Sequence, residues 1–300
     1  MFRFAFIAAV SLFATDLQAA TVEARPQSLA AAIKAGKAGD VIKLAKGEYG
    51  PIAMYDRKFA VPLTIDARDA VIKGIAFYGV SGVTWNGGAI SSEIPDGNGP
   101  TGYAVNIRNS DHISLSDAKI TNSVRGITIA GSEHILIARN NIQDMLVDGI
   151  NIAVGSKFVT IDGNTCESLA TGDRHPDCVQ GWSRAGLPVS DITVINNVIG
   201  GAVQGVYFGN IPNRKGGGDP GFDRIVIENN RINVSYPNGI VVTDCRECVI
   251  RFNTVTQIHL PGDTRPFRTK IGAFGGSAIV CSNKVPGMPG SPANAPCPKH

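Results

Sequence analysis

The segment from Asp173 to Trp182 concentrates side chains that could carry out acid–base chemistry on a bound ligand. Its ten residues include two carboxylates, an imidazole, an amide and an indole. An imidazole beside a carboxylate can move protons while a bond is broken, and an indole is a flat platform for a sugar ring. His175, Asp177 and Trp182 are therefore candidates for a functional site. Each also has a structural interpretation, because a carboxylate can cap a turn and an indole can pack beneath its own loop.

The overall composition indicates one globular unit behind a leader. Of the 300 residues, 43% are hydrophobic and 18% are charged, which supplies a large core and too little charge for a disordered chain. The basic start Met1–Arg3, the apolar run Phe4–Phe13 and the small residues before Thr21 predict a secretory signal peptide cleaved after Ala19. No later apolar run is long enough to cross a bilayer. We therefore expect a secreted or periplasmic monomer.

Cysteine content and charge narrow the compartment and the partners. Six cysteines suit an oxidising compartment, although their fifteen possible pairings stay open. Cys245 and Cys248 could form a redox or metal pair, but no second CxxC or histidine pair accompanies them. A local disulfide that closes a turn is the preferred interpretation. The net charge of +3 permits an acidic partner, whereas no basic cluster with interleaved aromatic residues supports nucleic-acid binding.

A repeat occupies most of the chain beyond residue 63. Each copy alternates apolar and polar residues and then places an asparagine before a further apolar residue. These asparagines are Asn140, Asn164, Asn197, Asn230, Asn253 and Asn283, separated by 24, 33, 33, 23 and 30 residues. A period in this range indicates stacked structural units. We interpret the asparagines as a structural ladder at one turn, where Asn tolerates a left-handed backbone and its amide can bond to the copies above and below.

A second short strand in each copy completes the fold prediction. Two or three β segments per unit, without helical periodicity between them, predict an all-β, right-handed parallel β-helix over residues 63–286. Residues 20–62 are expected to cap its first coil with a helix over Pro26–Lys34, a strand over Asp40–Leu44 and a turn over Gly47–Gly50. The Pro- and Gly-rich tail, residues 287–300, is expected to cover the last coil.

Stacking the second strands brings distant polar residues into two rows. The row just before each strand contains Arg125, Asp148, Asp177, Gln204 and Asn238, and the outward row within the strands contains Thr128, Asn151, Gln180, Tyr207 and Val241. Neighbouring strands lie about 4.8 Å apart, so Asp148 and Asp177 should be near neighbours. Two carboxylates at that distance repel, which raises one pKa and prepares an acid and a base.

Longer loops leave the same corner of adjacent coils and are expected to form one wall of a groove. They carry Arg184, Arg214 and Lys215, and Arg174 lies in the insertion before Asp177. Such cations would suit an acidic sugar chain, although a solvated face is their ordinary role. We therefore expect substrate-binding roles for the following residues: Asn151, Arg174, Gln180, Trp182, Arg184, Gln204, Arg214 and Lys215.

The repeat and these rows resemble the pectin-lyase-like superfamily of secreted polysaccharide lyases, hydrolases and epimerases. Val147-Asp148-Gly149 is similar to the NTDG segment of polygalacturonases, and Pro176-Asp177-Cys178 to their DDC segment. That resemblance implies a hydrolase that uses Asp148 and Asp177. The third family carboxylate is replaced by Pro176 and the family histidine by Gln204, so His175 would have to supply the missing proton.

The same face also resembles that of alginate epimerases and lyases, which combine acidic, histidine and tyrosine or arginine groups. This resemblance implies that His175 or Tyr207 acts as base and acid, with amides and arginines on the substrate carboxylate. Calcium stays open as an ion that Asp148, Asp173 and Asp177 could bind through oxygen, and no cofactor is required. We expect a lyase that cleaves an acidic polysaccharide by β-elimination; the alternatives are the hydrolase and a noncatalytic carbohydrate-binding solenoid.

Overall fold

Twenty-seven short strands, almost all paired in parallel, build the described part of the chain. The computed structural model describes residues 19–92, 102–168, 176–209, 221–261 and 267–298. The predicted signal peptide, apart from its last residue, lies outside these ranges. Among the described residues, no helix has the length and apolar character that crossing a membrane requires.

The strands fall into three columns, each made by strands of successive coils. Column A contains β1 (Thr21–Ala24), β2 (Val41–Leu44), β5 (Lys58–Asp66), β8 (Ser81–Asn86), β11 (Asp111–Ser116), β13 (Glu133–Ala138), β15 (Lys157–Asp162), β18 (Val189–Ile195), β21 (Phe222–Glu228), β24 (Val249–Arg251) and β27 (Ile279–Cys281). Column B contains β3 (Gly47–Tyr49), β6 (Ala70–Ile72), β9 (Ala89–Ile90), β16 (Thr165–Ser168), β19 (Val198–Gly201), β22 (Arg231–Val234) and β25 (Thr254–Gln257). Column C contains β4 (Ile52–Tyr55), β7 (Ile75–Tyr78), β10 (Tyr103–Arg108), β17 (Asp177–Trp182), β20 (Gln204–Gly209), β23 (Asn238–Arg246) and β26 (Lys270–Gly276). Two long strands, β12 (Lys119–Ala130) and β14 (Asn141–Ala153), run through both B and C.

The core is a stack of aligned apolar side chains inside the coils. Ile107 pairs with Ile129, which pairs with Ile152, and all three are fully buried. Each such side chain contributes roughly 1.5–3 kcal/mol by leaving water. The apolar alternation in the repeat thus produces the predicted parallel β-helix, which is confirmed.

The asparagine ladder is present at the turn between columns A and B. Oδ1 of Asn197 accepts hydrogen bonds from the backbone N–H of Asn164 at 2.8 Å and from its Nδ2 at 3.1 Å. Equivalent bonds join the other members from Asn140 to Asn283. The expectation of a left-handed backbone at the ladder residues is wrong by one position. The positive φ belongs to the residue before each asparagine, such as Asn229 at 56°, because the ladder asparagine itself must aim its amide into the stack.

Both ends of the solenoid are covered. Helix α1 (Leu29–Ala35) ends at Gly36 and buries Leu29 against the first coil. Parallel pairing already begins at Thr21, and Gly47–Tyr49 is a strand paired with Ala70–Ile72 rather than the expected turn, because the Tyr49 side chain is buried in the core. At the other end a 3₁₀ helix over Pro292–Asn294 lies against the last coil, where the Ala293 carbonyl accepts a bond from Nδ2 of Asn283.

The six cysteines form three disulfides, Cys166–Cys178, Cys245–Cys248 and Cys281–Cys297. The Cys245–Cys248 bond closes a local turn, as predicted. Cys178 directly follows Asp177, and Cys166 lies two residues after the ladder member Asn164. This bond therefore links the turn that carries the ladder to the strand that begins with the candidate acid.

Candidate functional site

The parallel register sets Asp148 directly opposite Asp177 at the start of column C. Asp148 in β14 pairs with Asp177 in β17, which pairs with Gln204 in β20, and Arg125 in β12 lies on the other side of Asp148. We call these four residues the acid row. Two carboxylates that are 29 positions apart in the sequence therefore become neighbours on adjacent coils, as the repeat register predicts.

A close approach of the coils allows this geometry at the corner. A Cβ on Gly149 would lie 2.7 Å from the Cys178 carbonyl oxygen and 2.8 Å from the Cys166 sulfur. No real side chain tolerates such contacts, so the residue after Asp148 has to be glycine. Gly149 thus lets the coil that carries Asp148 approach closely the coil that carries Asp177.

Both carboxyl groups are buried, which governs their protonation. Asp148 and Asp177 are each 1% exposed. Burial raises the pKa of Asp148 to about 6, although the Arg125 guanidinium opposes that rise. Burial, and then the negative charge of Asp148, hold the pKa of Asp177 well above its ordinary value. Among the described residues, Oδ1 of each carboxyl has no hydrogen-bond partner.

An amide network holds the other oxygen of each acid. Nδ2 of Asn151 donates to Oδ2 of Asp148 at 3.2 Å and to Oε1 of Gln180 at 2.8 Å. Nε2 of Gln180 donates to Oδ2 of Asp177 at 2.5 Å. The network fixes both amides and leaves the Oδ1 atoms as the uncommitted acceptors of the row.

Two aromatic side chains border this network. Nε1 of Trp182 donates to Oε1 of Gln180 at 2.5 Å, so the indole is hydrogen-bonded rather than merely packed. The Tyr207 ring lies edge-on to it, with centroids 6.2 Å apart. Both rings are only partly buried, whereas the acids are not exposed. Asp148 and Asp177 therefore do not reach the surface, and the accessible part of the face is its aromatic border. The part of the expected groove wall that carries Arg214 and Lys215 lies outside the described residues.

The aromatic border continues along the solenoid. The register runs from Trp182 to Ala153 and Ala130, then to Arg108, Tyr78 and Tyr55. The rings of Tyr55 and Tyr78 stack with centroids 5.2 Å apart. One line of column C therefore has aromatic rings at both ends, with two alanines and Arg108 between them.

The predicted binding residues divide into three groups. Asn151, Gln180 and Trp182 meet at the acid row, and Gln204 is a member of the row as the register partner of Asp177. Oε1 of Gln204 accepts a hydrogen bond from Nδ2 of Asn238. Arg184 is exposed and bridges backbone to Leu187 within its own loop. Four predicted residues lie outside the described residues: Arg174, His175, Arg214 and Lys215.

The predicted site omitted two side chains. Nε of Arg125 lies 3.4 Å from Oδ2 of Asp148 and is the nearest described cation to the acids. Oγ1 of Thr128, opposite Asn151, is buried without a hydrogen-bond partner among the described residues. Arg125 and Thr128 lie in the two rows that the repeat defines. The repeat register could therefore have added both residues to the predicted site.

A calcium ion stays a prediction at this position. Asp148 and Asp177 each offer one uncommitted carboxylate oxygen, and oxygen ligands suit calcium. The third expected ligand, Asp173, lies outside the described residues.

Comparison with known proteins identifies the repeat. A family model described as the right-handed β-helix region matches residues 103–284, which is more than half of the chain. A comparison with curated proteins finds no match for the sequence.

Three solved structures are similar to this chain at low sequence identity. The Dettilon tailspike protein is 13% identical, with a TM-score of 0.49, and the alignment covers 86% of this chain but only 57% of the tailspike chain. An alginate lyase from a Paenibacillus species is 14% identical over 86% of this chain and 99% of its own, with a TM-score of 0.47. The mannuronan C-5 epimerase A-module of Azotobacter vinelandii is 14% identical over 92% of both chains, with a TM-score of 0.42.

Proposed function

This chain belongs to the right-handed β-helix family, and from that premise we propose that it is a secreted enzyme that cleaves an acidic, uronate-containing polysaccharide by β-elimination. The observation that carries the proposal is the neighbouring pair Asp148 and Asp177, with raised pKa values and one uncommitted oxygen each. A purely structural row would have no reason to keep two buried acids side by side, because their desolvation and repulsion destabilise the fold.

The different surroundings of the two acids suggest different roles. Asp148 has a counterion in Arg125 and a pKa of about 6, so it is mostly ionised at neutral pH and can accept a proton. The pKa of Asp177 is raised without an opposing cation, so this carboxyl keeps its proton to higher pH and can donate a hydrogen bond. Environments that separate two carboxyl pKa values produce an acid and a base.

These groups can carry out a β-elimination in which each transferred proton has a donor and an acceptor. Neutral Asp177 donates a hydrogen bond to the uronate carboxylate and stabilises the charge that develops on it, while Asn151 and Gln180 hold the two acids in place. Asp148 takes the proton from the carbon beside that carboxylate; the carbon–oxygen bond to the next sugar breaks as the double bond forms. Tyr207 donates its hydroxyl proton to the leaving oxygen. His175 is retained in the proposal as a second candidate base.

The aromatic line suggests an extended ligand. Trp182 and the Tyr55–Tyr78 stack offer flat faces to sugar rings. Several coils, each about 4.8 Å from the next, separate these two aromatic groups. Because the acids are buried, substrate entering at Trp182 and Tyr207 has to uncover them. A closed row keeps water away from the carboxyl groups and so keeps their pKa values raised.

Hydrolysis is the second candidate, because glycosidases also use two carboxyl groups. Inverting glycosidases leave roughly 6.5–9.5 Å between these groups to admit a water molecule. Asp148 and Asp177 are direct register partners on adjacent strands, and strand spacing is only about 4.8 Å. This short spacing disfavours an inverting hydrolysis, but it is close to the roughly 5–5.5 Å of retaining glycosidases, so the reaction products have to separate elimination from a retaining hydrolysis.

Product analysis tests the proposal. The protein is incubated with uronate and neutral polysaccharides, and unsaturated ends are followed by ultraviolet absorbance alongside total reducing ends. Unsaturated ends identify a lyase, new reducing ends without unsaturation identify a hydrolase, and binding without either identifies a noncatalytic solenoid.

A matched pair of variants tests the residues. Asp148→Asn is expected to lower turnover by at least about 100-fold, the scale of a lost proton-transfer group. The control is Asp117→Asn on another face, where the carboxylate is exposed and paired with Arg139 at 2.8–2.9 Å; its turnover should match that of wild type. Undiminished turnover in Asp148→Asn would remove the acid row from the mechanism.

A further inference from the structure

A second cluster of chemically capable side chains lies in column A, apart from the acid row. Asp111 pairs with Glu133, and Ile113 pairs with Ile135, so His112 and His134 face each other on adjacent strands. Their rings stack with centroids 4.5 Å apart and an interplanar angle of 23°. This pair is a product of the coil register, not of local sequence.

One carboxylate serves both imidazoles. Oδ2 of Asp111 lies 2.7 Å from Nδ1 of His112, and Oδ1 lies 2.8 Å from Nδ1 of His134. Both Nδ1 atoms are therefore directed at the two oxygens of the same group. Ligand atoms of the three residues all lie within 4.8 Å of one another.

We infer that Asp111, His112 and His134 bind a divalent transition-metal ion such as Zn²⁺ or Cu²⁺. Two imidazoles and a carboxylate are the donor set that these ions prefer over Ca²⁺ or Mg²⁺. Donors with bonds of about 2.1 Å lie about 3 Å apart around a tetragonal Cu²⁺ and about 3.4 Å apart around a tetrahedral Zn²⁺. The 2.7 and 2.8 Å between Nδ1 and the carboxylate oxygens therefore require only a small outward movement of the side chains. The ion would replace the two Nδ1–H···O bonds, and each neutral imidazole would carry its proton on Nε2 instead.

The surroundings support both access and orientation. The side chains of Asp111, His112 and His134 are 36%, 62% and 45% exposed, so an ion with bound water can reach them and the rings can tilt toward it. On the far side, the Phe158 ring stacks against His134 at 5.0 Å and 7°, which limits rotation of that imidazole. The nearby Glu133 carboxylate is already paired with Lys157 at 2.8 Å and is not counted among the ligands.

Such an ion would join two consecutive coils on a face that the proposed chemistry does not use. Its expected effect is on stability, because binding to the folded state alone shifts unfolding to higher temperature. The inference does not depend on the proposed function.

Metal titration of the full-length protein without a polyhistidine tag tests this inference. The chelator-treated protein is titrated with Zn²⁺ by calorimetry and with Cu²⁺ by electron paramagnetic resonance. We expect one ion per chain, hyperfine coupling to two imidazole nitrogens, and a raised thermal midpoint with Zn²⁺ but not with Mg²⁺.

Histidine variants separate this site from general surface binding. His134→Ala and His112→Ala should each weaken Zn²⁺ binding at least tenfold and remove one nitrogen coupling. His259→Ala, at an exposed histidine elsewhere, should bind as wild type does. The inference is overturned by equal affinity in wild type and both site variants, or by a loss in His259→Ala as large as theirs.

Discussion

Two stacked polar rows run along the same solenoid, and they differ in how completely their atoms are bonded. In the asparagine ladder, Asn197 accepts two bonds at Oδ1 from Asn164 and donates from Nδ2 to Asn230 at 2.9 Å. In the acid row, Oδ1 of Asp148 and Oδ1 of Asp177 have no partner among the described residues. The ladder asparagines use their hydrogen-bonding groups to hold neighbouring coils together. The two acids, in contrast, each keep one oxygen without a hydrogen bond among the described residues.

The contrast follows from the chemistry of the two side chains. A carboxamide both donates and accepts, so identical copies can bond to each other without limit. Ionised carboxylates only accept and repel one another. The two acids of the row therefore occupy only two coils, and Arg125 and Gln204 occupy the neighbouring positions of the row on either side.

Breaking the ladder should have the largest effect on stability. Asn197→Ala removes the acceptor of the Asn164 backbone N–H and the donor to the carbonyls of Ile161 and Ile195. We expect a loss of about 4 kcal/mol in the free energy of unfolding, measured by urea denaturation. Val198→Ala, at the exposed neighbouring position, is the control and should change little. A loss below about 1 kcal/mol for Asn197→Ala would contradict the ladder's structural role.

The acid row should act on stability in the opposite sense, through pH. Asp148 has a pKa of about 6 in the folded protein against 3.8 ordinarily, so the folded state binds more protons between these values. The free energy of unfolding should therefore fall by up to about 3 kcal/mol as the pH rises from about 4 to above 6. In Asp148→Asn this contribution disappears, and the variant should exceed wild type in stability at pH 7.

Denaturation at several pH values between 4 and 7 measures this difference. Asp117→Asn provides the opposite sign, because Arg139 lowers the pKa of Asp117 and its contribution is lost as the pH falls. If the free energy of unfolding declined equally steeply with pH in wild type and in Asp148→Asn, burial would not raise the pKa of the Asp148 carboxyl.

The smallest expected effect concerns the residue before each ladder member. Asn229 has a φ of 56° and is exposed. Asn229→Ala should cost about 1 kcal/mol, since a Cβ without a polar group disfavours this backbone, whereas Asn229→Gly should be close to neutral. Thermal unfolding of both variants measures the difference. Equal stability would contradict the left-handed assignment at this position.

Sequence periodicity predicts what depends on register, and it does not predict what depends on packing. The ladder and the Asp148–Asp177 pair follow directly from repeated offsets. Burial of these acids could not be foreseen, because it depends on what packs over the outer face. The strand at Gly47–Tyr49 was missed because glycines at both ends indicate a turn, while the buried Tyr49 ring fixes an extended backbone.

The histidine cluster has a sequence signal of its own, which lies outside the segment Asp173 to Trp182. Asp111-His112-Ile113 and Glu133-His134-Ile135 share the order acid, histidine, isoleucine at a spacing of 22 residues. In a solenoid, such a recurrence places equal side chains on adjacent coils. The prediction for His175, by contrast, depends only on its neighbours in the sequence. His175 lies outside the described residues.

The ladder also separates chain length from alignment. Its members are 24, 33, 33, 23 and 30 residues apart, yet the backbone N–H to Oδ1 distances across these steps vary only from 2.8 to 3.0 Å. Ten residues can thus be gained or lost within one coil while every coil beyond it keeps its phase. Loops of different length can consequently be exchanged within one coil, by evolution or by design, without changing how the other coils stack. New binding specificities can arise in such loops while the β-helix stays the same.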